Sequence, residues 1–174
     1  WIRYPRDVAQ AQAMNADRLA KDSGVERAAV GVLSRFSEKG ARVVFEAPNV
    51  LLNAPAYRCA DSWTHSNPMC SPGVAVDRSW FLGYRRPMLD VEERVAHAVP
   101  GTTVFDPVPT LCPEGGSCTG FKDGRPLFFD GDHVSGYGNR VLLPVFEVAM
   151  RDAVKRPSGD SGQASRSNED LVKS

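Results

Sequence analysis

Asp130 and His133 stand three residues apart in the run Asp130-Gly131-Asp132-His133-Val134-Ser135-Gly136-Tyr137-Gly138, where the apolar stretch Pro126-Leu127-Phe128-Phe129 gives way to a helical pattern. A carboxylate held beside an imidazole is the orienting half of a nucleophilic triad. The acid fixes the ring's tautomer, and the ring takes a proton from a serine or cysteine. Asp132 competes for the acid role, but a side chain directly adjacent to His133 must fold back sharply to meet the ring, so Asp130 is the expected partner.

A nucleophile is harder to find. Ser135 sits where it should cap the following helix rather than attack a substrate. Gly159-Asp160-Ser161 offers a serine in a suggestive tripeptide, but it lies in a polar tail with no apolar run before it. An active serine needs a rigid strand-to-helix turn behind it. Of the other histidines, His97 lies among Ala96, Ala98 and Val99 and is expected to be a partly buried structural residue, and His65 is expected in a loop.

The elements that must position the pair alternate between helix and strand. Ser23-Gly24-Val25-Glu26 reads as a capping box, with Glu26 reaching back to the start of its helix. Val25, Ala29, Val32 or Leu33, and Phe36 follow at helical spacing, and Gly40 ends the helix. Residues 41–47 form a β-branched run closed by Pro48, as expected of a buried parallel strand after a crossover helix. The unit repeats as a helix over 90–99, with Val91, Val95 and Ala98 on one face, and a strand over 102–106. A last helix should run from a cap near Ser135 to about Ala153, bent at Pro144. Between these, residues 48–86 read as a long connection with few periodic signals, of the kind that is functional or locally stapled. Residues 155–174 turn to Ser, Gly, Asp, Asn and Lys and read as a disordered tail behind a domain of 1–154.

The chain has 174 residues, 42% hydrophobic and 24% charged, which suits one globular domain with a core. Lys+Arg 21 against Asp+Glu 21 leaves no net charge and argues against nucleic acid as a partner. No apolar run is long enough to span a bilayer, and no signal peptide is visible. The first residue, Trp1, is not methionine, so the chain is expected to begin inside a longer protein or after processing.

Four cysteines form two local pairs, Cys59 with Cys70 and Cys112 with Cys118, in loops rich in Pro, Gly, Ser and Asn. Neither has the C-x2-C spacing of structural zinc, so disulfides are expected, with free thiols as the remaining alternative. Bridges over loops this short stabilise by roughly 2–3 kcal/mol each on the chain-entropy model and imply an extracytoplasmic compartment. No metal or cofactor is expected.

Asp130-x-x-His133 with Val134, Ser135 and Gly138 resembles the last block of the SGNH hydrolase superfamily. It looks most like the periplasmic SGNH domain of bacterial membrane acyltransferases that O-acetylate cell-surface polysaccharides. There the block commonly reads D-x-x-H-L-S-x-x-G after a short cysteine loop, as Cys112 and Cys118 stand here. Trp1-Ile2-Arg3-Tyr4 is similar to the end of the strand that, in this subgroup, replaces the G-x-N-D block.

The resemblance covers the C-terminal two-thirds of such a domain. It implies an α/β fold, a parallel-sheet three-layer sandwich of SGNH (flavodoxin-like) type, with N-terminal strand or strands missing from this chain. It implies acetyl transfer through an acyl-serine to a polysaccharide hydroxyl, with Asp130 and His133 as catalytic residues and the serine in a preceding SGNH segment. Expected partners are the polysaccharide or acyl donor and a fused transmembrane acyltransferase domain upstream, on the periplasmic face of a bacterial inner membrane. Trp1 and Arg3 are candidates for the oxyanion or sugar site, although a strand-end tryptophan also suits core packing. The alternatives are a carbohydrate esterase of the same fold and a noncatalytic carbohydrate-binding or interaction module. Residues 1–174 alone are expected to be catalytically silent.

Overall fold

The structure is a computed structural model that describes residues 23–64 and 66–155. Its elements in chain order begin with helix α1 (Ser23–Glu38), strand β1 (Val43–Glu46) and two 3-10 turns (Tyr57–Cys59 and Ser62–Thr64). Then come β2 (Ala75–Asp77), α2 (Arg78–Ala98), β3 (Thr102–Phe105) and the short α3 (Val108–Leu111). The chain continues through β4 (Ser117–Thr119), β5 (Phe121–Lys122) and β6 (Arg125–Pro126) into α4 (Gly136–Lys155). The fold is mixed α/β, and the described residues divide into two units.

The first unit comprises Asn49–Arg85 and Pro107–Pro144. Its sheets are small and antiparallel, β2 with β4 and β5 with β6. Val76 stands opposite Cys118, and both are buried. The core gathers Val50, Phe81, Val108, Leu111, Leu127 and Phe128. Two disulfides staple it, Cys59–Cys70 and Cys112–Cys118, with Cα–Cα separations of 5.7 and 4.7 Å.

The stretch 48–86, expected as an aperiodic connection, is more ordered than that. Val50, Leu52, Ala54 and Ala56 are buried at alternate positions, the period of an extended segment. β2 follows, and α2 starts well before the expected Asp90. The cap is Asp77, whose Oδ1 accepts from the Trp80 N–H at 2.7 Å and the Ser79 hydroxyl at 2.6 Å. Pro55 and Pro87 break up both patterns in the sequence, which hides the strand-like period and the helix start.

The second unit comprises residues 23–48, Arg86–Asp106 and 145–155. Its sheet is the parallel pair β1 and β3, in register from Val43 opposite Thr102 to Glu46 opposite Phe105. Backbone bonds from Val43 N–H to Gly101 and from Ala47 N–H to Phe105 extend the ladder at both ends, at 3.0 and 2.8 Å.

α1 ends in a Schellman motif: Gly40 at φ +78° donates to Ser37, and Ala41 donates to Phe36. At its start, Glu26 is held by Arg94 at 2.8 Å, so the carboxylate expected to reach back to the cap points to α2 instead. β1 was expected to be buried, but it is half-buried and Glu46 is exposed. Val25, Val32 and Phe36 are more than half exposed. Helical spacing says which residues share a face; it does not say that a neighbour covers that face.

His97, expected to be partly buried, is exposed near the end of α2. α4 runs through Pro144 and includes Lys155, one residue past the expected domain boundary, while the rest of the expected tail lies outside the described residues. No helix among the described residues is long and apolar enough to cross a membrane.

Candidate active site

The segment that carries the site is a narrow antiparallel return. Leu127 N–H donates to Gly120, Phe129 N–H to His133, and Ser135 N–H to Leu127, at 2.7, 2.7 and 2.8 Å. Phe128 and Val134 form a bridge across it. Residues 130–132 make the tip, and the extended 50–56 segment holds the tip from the side. Leu52 N–H donates to Gly131 at 2.7 Å and Ala56 N–H to Asp130 at 3.3 Å.

On the exit side, Ser135 locks the turn into α4. Its hydroxyl donates to the Pro126 carbonyl at 2.6 Å and accepts from the Gly138 N–H at 3.0 Å, so it caps the helix as its position suggested. Gly138 lets the first turn of α4 press onto the ladder, because a Cβ there would collide with the Leu127 carbonyl oxygen.

Asp130 uses both carboxylate oxygens. Oδ1 accepts from the backbone N–H of Asp132 at 3.1 Å and of His133 at 2.9 Å. Oδ2 lies 2.9 Å from His133 Nδ1. The three-residue spacing therefore has a mechanical reason: one oxygen closes an Asx turn that brings the ring to the other. Partial burial pushes the Asp130 carboxyl up, but the amides of His133 and Asp132 and the His133 ring outweigh it and hold the carboxyl down at about 2.

An ionised carboxylate only accepts, so the proton of a neutral imidazole sits on Nδ1. Nε2, the nitrogen left over, has no hydrogen-bond partner among the described residues and carries the basic lone pair. The ring is 78% exposed. Its hydrogen bond to Asp130, followed by the charges of Asp130 and Asp132, raises its pKa above the ordinary 6.5.

Asp132 departs from expectation. Its Oδ1 reaches 3.2 Å from Nδ1, so the adjacent acid does meet the ring, because the tight tip turns residues 130 and 132 toward the same nitrogen. The ligand atoms of Asp130, Asp132 and His133 all lie within 4.8 Å of one another, close enough for a cation. Holding one there would require Nδ1 to give up its proton and both contacts, so ion pairing accounts for the cluster by itself.

Trp1, Arg3, His65 and Ser161 lie outside the described residues. All four cysteines are bridged, which leaves no thiol as a nucleophile. Two features escaped the sequence reading. One is the 50–56 segment, whose alternate burial was legible in Val50-Leu51-Leu52-Asn53-Ala54-Pro55-Ala56 had Pro55 not interrupted it. The other is an exposed pair of rings, Tyr57 and Phe129, with centroids 5.5 Å apart beside the tip.

A family model described as "SGNH domain (fused to AT3 domains)" matches residues 1–148. No curated protein matches the chain, and no solved structure does.

Proposed function

The chain belongs to the SGNH domain family of the type fused to AT3 (acyltransferase) domains, a membership that points to esterase or acyltransferase chemistry, and from that premise we propose that it transfers an acetyl group to a sugar hydroxyl of a cell-surface polysaccharide. The observation that carries the reading is the doubly used Asp130 carboxylate, fixed by two backbone amides and set against Nδ1 so that Nε2 is the free base.

The serine comes from the part of an SGNH domain that precedes this segment. Its Oγ attacks the acyl carbonyl as His133 Nε2 takes the proton, and the protonated ring returns that proton to the departing group as the carbonyl re-forms. In the second half, Nε2 takes the proton of the acceptor hydroxyl, which attacks the acyl-serine and restores the serine. Asp130 keeps the ring in the productive tautomer and stabilises the imidazolium in both halves. In this reading Trp1 and Arg3 serve the oxyanion or the sugar, and β1 and β3 belong to a larger parallel sheet between helices that the preceding segment completes. The two disulfides favour an extracytoplasmic location, on the periplasmic face of the inner membrane.

Hydrolysis is the second reading. The exposure of the His133 ring favours it, since water reaches that nitrogen as readily as a sugar does.

The test is release of p-nitrophenol from its acetate by the full-length protein. His133→Ala should lower turnover by about 10³-fold or more. Asp130→Asn should lower it by less, because Asp132 stands 3.2 Å from the same nitrogen, and the double change with Asp132→Asn should approach the histidine variant. Turnover by His133→Ala that stays close to wild type would sink the proposal and leave a noncatalytic module as the better description.

A further inference from the structure

The antiparallel bridge between Phe128 and Val134 sets the register of the return, and the Phe129 N–H bond to the His133 carbonyl at 2.7 Å continues it. Phe129 is therefore directly opposite His133, and opposite residues of an antiparallel pair project from the same face. The alternation agrees, since Phe128 is buried and Phe129 is exposed. Tyr57 adds a second ring, tilted by 31° against Phe129. The two rings are 56% and 55% exposed.

This surface is not a loose loop tip. Tyr57 follows Ala56, whose N–H is bonded to the Asp130 carbonyl, and the 3-10 turn that carries it ends at the bridged Cys59. Tyr57 and Phe129 thus form a fixed aromatic surface on the face of the return from which His133 projects.

The chemistry that fits such a surface has one apolar face and hydroxyls around its edge. A pyranose ring stacks its C–H face on an aromatic ring and turns its hydroxyls outward to hydrogen-bonding groups. An acyl chain instead needs enclosure on all sides to leave water, which an open pair of half-exposed rings does not provide. Asp130 and Asp132 both reach the His133 ring, and two carboxylates at the base disfavour an anionic sugar brought beside it.

We propose that Tyr57 and Phe129 form a stacking platform that holds a neutral sugar ring beside His133. The role of His133 rests on the acyl-transfer reading above; the binding surface does not.

The direct experiment applies the fluorescently labelled chain to an array of neutral and acidic oligosaccharides. Wild type should bind a subset of neutral glycans. Tyr57→Ala with Phe129→Ala should lose about ten-fold or more of that binding, as expected when roughly 1.4 kcal/mol of ring contact is removed. Phe129→Leu keeps apolar bulk without a planar face and should also lose binding, whereas Tyr57→Phe should keep it; equal melting temperatures exclude unfolding as the cause. A wild type that binds no glycan, or a double variant that binds as well as wild type, overturns the platform.

In the full-length protein, the ratio of p-nitrophenyl octanoate to p-nitrophenyl acetate turnover should not change in the double variant. A selective loss of the octanoate would mean that the rings hold an acyl chain and would also overturn it. Failure of the catalytic reading has a separate signature: His133→Ala without effect on the acetate, with glycan binding to the platform intact.

Discussion

The unit that carries Asp130 and His133 and the unit that carries the parallel strands are held together by different means. The strand-bearing unit has the more regular secondary structure, a four-residue parallel register with helices on either side of it in the chain. Yet β1 has no buried residue, and α1 exposes Val25, Val32 and Phe36. Its described ion pairs, Arg94 with Glu26 and Arg86 with Asp90 and Glu93, lie on accessible side chains and contribute little each. The site-bearing unit has strands of only two or three residues. It compensates with two disulfides, a set of nearly inaccessible side chains and backbone bonds between distant segments at the tip. A reactive pair needs its atoms fixed within a fraction of an ångström, and here cross-links supply that where regular structure is scarce.

The largest test of this contrast removes the cross-links. Reduction of both disulfides should cost roughly 4–6 kcal/mol on the chain-entropy model, and hydrogen exchange should show the loss in 49–85 and 107–144 before the β1–β3 amides. Equal loss of protection in both units would mean that the staples do not act locally.

Next come two glycines that meet opposite surroundings. Gly138→Ala drives a methyl into the Leu127 carbonyl and should destabilise by about 3 kcal/mol, read as a lower denaturation midpoint. Gly31→Ala, in α1 with open space around it, should stabilise by about 0.5–1 kcal/mol. The smallest expected change is Glu26→Ala, which breaks the exposed pair with Arg94 and should leave the denaturation midpoint nearly where it is in wild type.

Acid adds a further distinction. Because the Asp130 carboxyl is held down at about 2, its contribution is complete above the unfolded value near 4 and is lost as pH falls toward 2. His133 is raised, so its contribution is present below its ordinary 6.5 and fades as pH climbs through the folded value. These are two views of one ion pair in the site-bearing unit.

The same contrast explains what was legible in the sequence. Helix 23–38, the strands near 43 and 102, and the helix from 136 write themselves in local periodicity and stop signals such as Gly40. Asp130 and His133 were legible because an Asx turn is a local device, and the cysteine pairs because they are close in sequence. The 50–56 segment was not, since its hydrogen bonds go to Asp130 and Gly131, far along the chain, and Pro55 breaks its pattern. Tyr57 and Phe129 meet across the same sequence distance. The reach of Asp132 to the ring was not legible, because the sharp return at the tip is a property of the backbone ladder and not of any residue type.

The most direct test is an NMR titration of the His133 ring nitrogens in wild type and Asp130→Asn. Asparagine keeps an oxygen for the turn amides but removes the charge beside Nδ1, so the variant should fold alike and differ only at the ring. The account predicts a wild-type pKa above 6.5, a neutral form protonated on Nδ1, and a fall in pKa on substitution. A wild-type ring that titrates at or below 6.5, or one indifferent to Asp130→Asn, would contradict the claim that Asp130 orients and charges the base.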